Sequence, residues 1–265
     1  MCNFSSQMAT EFGLTPKLDT DSDGTALSSC LSDIGFTVRH IRDPSREEIL
    51  DLAKSYSVSD VEDHPGCFLM VFLTHSVSPK GASSQERLAA YDAFFTRGDI
   101  ITYLVGEGLK NGPKILIFQA PICGKSESIE LSSAFNTLRR STSGRKSTPN
   151  KSIVRSAPQL FAVPADFLVV SSSIPEYYHF KNKKSGSEFV QRLIQGLHFN
   201  AKSPSMDFEK LLTRINGQFE HRNYLAPSSP GLFDPQHPSP NWAAFEKPHY
   251  TISVLSTCTK QLFLF

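Results

Sequence analysis

Lys114-Ile115-Leu116-Ile117-Phe118-Gln119-Ala120-Pro121-Ile122-Cys123-Gly124 is the stretch whose reading decides the fold. Its first half is an apolar run of strand length, the pattern of a strand covered on both faces. Asn111-Gly112-Pro113 breaks the chain just before it, and a helix is expected near Asp99 to Leu109. Upstream, Cys67-Phe68-Leu69-Met70-Val71-Phe72-Leu73 repeats the pattern and ends at Thr74-His75. Downstream, Asp166-Phe167-Leu168-Val169-Val170 repeats it again, and Tyr250 to Leu255 reads as a last strand. Helical spacing fills the intervals. Leu27, Cys30, Leu31 and Ile34 recur on one face, with Asp21 and Asp23 as candidate caps and Gly35 as the stop. Phe36 to Ile41 alternates like a strand. Ser45-Arg46-Glu47-Glu48 forms a capping box ahead of Ile49, Leu50, Leu52 and Ala53. Phe189, Val190, Leu193, Ile194 and Leu197 mark one later helix; Phe208, Leu211, Leu212, Ile215 and Phe219 mark another. Strands alternating with helices imply an α/β fold, a mostly parallel sheet flanked by helices on both faces.

The totals exclude several functions. A chain of 265 residues fits one or two domains and can bury a full core. A net charge of +1 gives no reason to expect nucleic acid or an acidic membrane as partner. Cys2, Cys30, Cys67, Cys123 and Cys258 are odd in number, widely spaced and free of any C-x-x-C. That pattern argues against a disulfide framework or a metal site and for a reducing, cytoplasmic setting. The first residues show no secretory signal, and no apolar run approaches the length of a membrane span. No cofactor motif is present. Residues 125–160 are rich in Ser, Thr, Arg and Lys and poor in periodicity, and read as a long, mobile, basic linker.

Several short motifs, taken in order, resemble those of the caspase family. Thr20-Asp21-Ser22-Asp23 is similar to the family's G-T-D-x-D, and Arg46-Glu47-Glu48-Ile49 to T-R-E-E-I. Leu73-Thr74-His75 resembles the L-S-H that carries the general base. Ala165-Asp166-Phe167-Leu168 resembles A-D-F-L, Tyr177-Tyr178-His179-Phe180-Lys181 resembles Y-Y-S-W-R, and Gly186-Ser187-Glu188-Phe189-Val190-Gln191 resembles G-S-W-F-I-Q. The resemblance runs from about Leu18 to Phe265. It implies a three-layer sandwich with a six-stranded sheet whose first strand is shortened, since only Met1 to Phe4 precede a polar segment. It also implies a large-subunit-like region at 1–124, the linker at 125–160 and a small-subunit-like region at 161–265, with no prodomain. Two such units would pair through the last strand, at Thr251, Ile252, Ser253, Val254 and Leu255. There, Thr251, Ser253 and Leu255 should face away from Ile252 and Val254, and Ser253 is the expected ladder donor toward the partner.

The resemblance also locates the chemistry, and the residues depart from it. The signature Q-A-C-[RQG]-G, with a His about 50 residues upstream, becomes Gln119-Ala120-Pro121-Ile122-Cys123-Gly124, with His75 lying 46 residues before Pro121. Proline replaces the nucleophile and has no N–H to offer an oxyanion; loss of one such donor costs about 100- to 1000-fold in rate. Cys123 is the alternative nucleophile, displaced by two residues, about 6 to 7 Å of chain. His75 is the retained base position, read as vestigial, followed by Ser76 in place of the family's glycine. In the aspartate-reading pocket Gln119 remains, while Lys17 and Lys181 stand at the arginine positions. A lysine keeps the charge but not the planar clasp. Tyr178 and Phe180 match the aromatic wall beside it. The linker supplies no maturation site, for no Asp occurs between Lys125 and Ala165. The reading is a non-catalytic caspase homologue that pairs with an active caspase, or with itself. The alternative is an active cysteine endopeptidase using Cys123 and His75.

Overall fold

The computed structural model describes residues 1–4, 20–58, 66–77, 87–105, 109, 112–120, 163–172, 186–220 and 252–264. Nine strands and five helices lie among them. The strands are β1 (Cys2–Asn3), β2 (Ile41–Arg42), β3 (Phe68–Leu73), β4 (Ser76–Val77), β5 (Arg87–Ala89), β6 (Phe94–Phe95), β7 (Lys114–Gln119), β8 (Phe167–Ser172) and β9 (Ile252–Ser256). The helices are α1 (Thr20–Asp33), α2 (Arg46–Val58), α3 (Arg97–Tyr103), α4 (Glu188–Lys202) and α5 (Phe208–Glu220). Six strands form one sheet in the order β2-β1-β3-β7-β8-β9, and β4-β5-β6 form a small second sheet. In the large sheet only the β8–β9 pairing is antiparallel.

The apolar runs explain the layering. β3, β7 and β8 are the three central six-residue ladders, in register Leu73↔Gln119↔Ser172 at their carboxyl ends. Because side chains alternate across a strand, Val71, Ile115, Ile117, Leu168 and Val170 pack with Leu27 and Leu31 of α1, Phe189 and Leu193 of α4 and Leu211 and Ile215 of α5. Met70, Phe72, Leu116, Phe118, Phe167 and Val169 pack on the other face with Ile49 and Ala53 of α2, Ile100 and Ile101 of α3, and Leu88 and Phe95 of the small sheet. Phe72 stacks on Phe118 with ring centroids 5.0 Å apart. This is the α/β sandwich expected from the sequence.

Four details differ. The first strand is short, as expected, but it sits inside the sheet between β2 and β3. Phe4 N donates to Leu73 O, Ile41 N to Met1 O and Asp43 N to Asn3 O, so β1 is held on both sides. The strand expected over Phe36–Ile41 is reduced to Ile41–Arg42, since β1 offers partners to those two residues only; Phe36 N instead closes α1 by donating to Leu31 O past Gly35, whose φ is +98°. The helix expected near Asp99 begins two residues earlier, because Thr96 and Asp99 make a reciprocal capping box. Asp21 and Asp23 do not precede α1 as caps but lie inside its first turn.

Candidate functional site

The carboxyl ends of β3, β7 and β8 converge, which is where parallel α/β sheets hold their ligands. Thr74 prolongs the β3–β7 ladder by donating its N–H to Gln119 O at 3.0 Å. Its Oγ1 donates to Ala89 O at 2.7 Å, and Ala89 N donates to His75 O at 3.0 Å. Ser76 then pairs with Leu88 in the small sheet. His75 is therefore wedged between the two sheets, with its side chain buried. Gln119 is also buried and ends β7 between Leu73 and Ser172. The structure thus brings His75 and Gln119 to neighbouring strand ends. In the chain, Pro121 follows Gln119 by two residues, as His75 follows Leu73. Pro121, Cys123, Lys17, Tyr178, Phe180, Lys181 and Thr251 lie outside the described residues.

Sequence reading did not bring together the members of three groups at this end of the sheet. Arg97, the first residue of α3, donates from Nη1 to Ser171 Oγ at 2.7 Å and lies 4.9 Å above the Phe118 ring. It ties α3 to the last turn of the β7–β8 ladder. Its only sequence signal is its place beside the Thr96 cap. Asp23, buried, accepts the backbone N–H of Ser187 at 2.7 Å on Oδ2 and Gln191 Nε2 at 3.2 Å on Oδ1. Ser187 in turn caps α4 by accepting from Val190 N. Asp23 thus stabilises the start of a different helix from its own, 164 residues away. Gly186 has φ +80°, and a Cβ there would stand 2.0 Å from Asp23 Oδ1, so the glycine of the Gly-Ser motif is required twice over. The third group is a polar chain below β1 and β2. His40 Nε2 and Asn3 Oδ1 are 2.8 Å apart, Asn3 Nδ2 donates to Asp21 Oδ1 at 2.9 Å, and Arg42 donates to Asp21 Oδ2 at 2.8 Å. Burial, then the nearby N-terminal ammonium, hold the His40 pKa below its usual value.

The described thiols are not poised for attack. Cys2, Cys30, Cys67 and Cys258 are free. Burial pushes the thiols of Cys2, Cys30 and Cys67 up to about 11, so at neutral pH they remain protonated. Among the described residues no cluster of His, Cys, Asp and Glu is arranged to hold a metal ion, and no helix is long and apolar enough to cross a membrane.

A family model described as "Caspase domain" matches residues 8–250. The chain belongs to the caspase family. Caspase-3 of Mesocricetus auratus is 32% identical over 211 residues, covering 77% of this chain and 65% of that relative. Caspase-7 of Gallus gallus is 29% identical over 208 residues, covering 77% of this chain and 60% of that relative. The chain therefore matches about two thirds or less of the length of these relatives. Among solved structures, pro-sf-caspase-1 superposes with a TM-score of 0.63 over 99% of this chain and 88% of the other, at 20% identity. At that identity the likeness is one of fold, and it accords with the six-stranded sheet above.

One expectation about the last strand changes. β9 is an edge strand, and by register Val254 and Ile252 do face away from Ser253 and Leu255. Only Ile252 is buried; Val254 and Leu255 remain 40% and 50% exposed. The backbone parity, however, turns Ser253 toward β8. Thr257 N donates to Phe167 O, which sets 253, 255 and 257 inward. Asn216 of α5 accepts the Ile252 N–H at 2.8 Å and donates to Ile252 O at 3.1 Å, which sets 252, 254 and 256 outward. The donor offered at the free edge is thus Val254, not Ser253, because N–H directions alternate along an antiparallel strand.

Proposed function

We propose that this chain is a non-catalytic caspase-family protein that regulates apoptosis, or a related pathway, by pairing with an active caspase through β9. The observation that carries this reading is Pro121, at the position where the family signature has its cysteine, in a chain whose core strands and helices follow the family fold. A proline supplies neither a thiolate nor an oxyanion N–H. The lysines at 17 and 181, and the absence of Asp between Lys125 and Ala165, accord with it. A chain that keeps its packing and not its nucleophile is suited to binding. The division into regions at 1–124, 125–160 and 161–265 and a cytoplasmic setting belong to the same reading.

The test has two arms. Purified protein is incubated with acidic peptide substrates and an aspartyl fluoromethyl ketone, and is separately titrated into an active caspase while that caspase's turnover is followed. The expected result is no cleavage, no labelling and a saturable change in the partner's rate. Labelling that is lost in Cys123→Ser would instead establish an endopeptidase using Cys123 and His75.

A further inference from the structure

The large sheet has a gap in line with β1. β3 and β7 pair over six residues, but β1 spans two and covers only Phe72 and Leu73 of β3. Among the described residues no strand lies against 68–71 on that side. A cavity of about 580 Å³ occupies the gap, walled by residues 67–71 on one side and 36–39 on the other. Backbone parity turns polar groups into it from both walls. Phe68 N donates to Pro113 O on the β7 side and Leu73 O accepts Phe4 N on the β1 side, so Leu69 and Val71 face the gap. Opposite them, Arg39 O accepts the Met1 ammonium at 2.6 Å and Ile41 N donates to Met1 O, so Thr37 and Arg39 face it too. The gap is apolar above and below. Leu31, Ile34 and Leu264 belong to its α1 face, and Leu52, Tyr56 and Phe68 to its α2 face. These are the surroundings of a strand covered on both sides. The gap also accounts for residues 36–41, whose strand-like alternation finds a paired neighbour only at Ile41.

We propose that this gap binds the extended, apolar C-terminal tail of another protein, seated as a strand parallel to β3 with its carboxylate against the Met1 ammonium. The direction follows from the pairing. β1 runs parallel to both β2 and β3, so a strand of the same sense behind it meets Met1 with its carboxyl end. Charge selects the same polarity. The Met1 ammonium stands part-buried at the inner end of the gap, and its bond to Arg39 O uses one of its three N–H groups. A carboxylate there neutralises a cation that burial disfavours, whereas a strand of opposite sense would bring a second ammonium to it. Four or five residues fill the gap, since the 67–71 wall spans about 13 Å at about 3.3 Å per residue. Their backbone groups would bond alternately to 69 and 71 on one wall and to 37 and 39 on the other. Their side chains would alternate between the α1 and α2 faces, as Met1 and Cys2 do. The tail must therefore carry consecutive apolar residues, and strand addition with carboxylate capture describes its recognition. The site is remote from β9 in the strand order and does not depend on pairing there.

Peptide binding to the 265-residue chain decides it. The probe is fluorescein-Lys-Lys-Gly-Val-Ile-Leu-Val with a free carboxylate, followed by anisotropy. Its C-terminal amide, and a form N-methylated at alternate apolar residues, are the controls. The acid is expected to bind saturably, and each control at least tenfold more weakly. At saturation, amide exchange followed by NMR is expected to slow at least tenfold at Arg39, Leu69 and Val71. It should stay unchanged at Met70, whose N–H is directed to β7. Val38→Glu, on the wall of the gap, is expected to weaken binding at least tenfold while leaving exchange at Ile117 in the core unchanged. Equal binding of acid and amide would overturn carboxylate capture, and binding without slowed exchange at Leu69 and Val71 would overturn the site. Exchange already slow there without peptide, at every chain concentration, would mean that the chain itself fills the gap. Exchange that slows only as the chain is concentrated would make a second copy the occupant. Either result overturns the proposal.

Discussion

The two edges of the six-stranded sheet are built in opposite ways. At one edge β2 has two residues, both paired to β1, and its side chains feed a closed polar chain through Arg42, Asp21, Asn3 and His40. At the other edge β9 has five residues, pairs on one side with β8, and leaves Val254 and Leu255 half-exposed. Polar side chains committed to one another and a strand too short to template a neighbour make the β2 edge a terminus. The β9 edge has length, apolar side chains and outward backbone groups, which is what strand addition requires. The difference teaches where a partner strand has something to bind.

The largest expected effect separates two neighbouring residues of β9. Ser253→Pro removes an inward N–H and should unfold the β8–β9 ladder, lowering stability by about 3 kcal/mol. Val254→Pro removes an outward N–H and should leave stability within about 1 kcal/mol while weakening association at least 100-fold. Urea denaturation and sedimentation equilibrium measure the two quantities. Equal stability losses in the two variants would show the parity to be misassigned.

At the β2 edge the effects are smaller and bear on the monomer alone. Asp21→Ala deprives the buried Asn3 amide of its acceptor and should cost about 1 kcal/mol. Arg42→Ala should cost less than about 0.5 kcal/mol, for its side chain is 62% exposed in its pair with Asp21. Neither change should alter association. A shift in the monomer–dimer equilibrium in either variant would mean that β2 also serves as an interface.

The same edge should carry a pH signature that the β9 edge lacks. The His40 pKa is lowered in the folded chain from its ordinary value of 6.5. The neutral ring is therefore favoured by folding, so His40's contribution is present above about pH 6.5 and is lost as pH falls below it. His40→Gln should flatten stability between about pH 7 and pH 5, read from urea midpoints at stepped pH. Asp21, Arg42 and the N-terminal ammonium face the ring, so the Asp21→Ala variant should steepen the slope by removing the one neighbour that favours protonation. The smallest effect is kinetic: Cys2 and Cys30, with thiols near 11, should react with maleimide at pH 7 only as fast as the chain opens.

Much of this molecule was legible in its residues. The apolar runs at Phe68, Ile115 and Phe167 read as covered strands and are the three central strands of the sheet, with the structure assigning their two faces. The helices with a wide apolar stripe, α4 and α5, were equally plain. Shorter pieces were not. Phe36–Ile41 has the alternation of a strand, but a strand needs a neighbour, and β1 pairs with only its last residue and Arg42. Asp23 looked like the cap of its own helix because local spacing carries no information about Ser187, which only folding brings to 2.7 Å.

The site divides in the same manner. The sequence alone supplied the candidates that the resemblance places at the family's positions: Pro121 for the nucleophile, His75 for the base, Gln119 and two lysines for the pocket. Those are identities, and identity needs no coordinates. It also determined that β9 alternates its side chains. Tertiary structure decided what lies between those identities: that His75 is buried between two sheets, that Arg97 rests on Phe118 against Ser171, that Gly186 must be glycine because Asp23 occupies the space of its Cβ, and that Val254 rather than Ser253 faces outward. The physical reason is common to all four. Side-chain periodicity is written locally in the chain, whereas the direction of an unpaired backbone group and the company of a buried one depend on which distant segment arrives beside it.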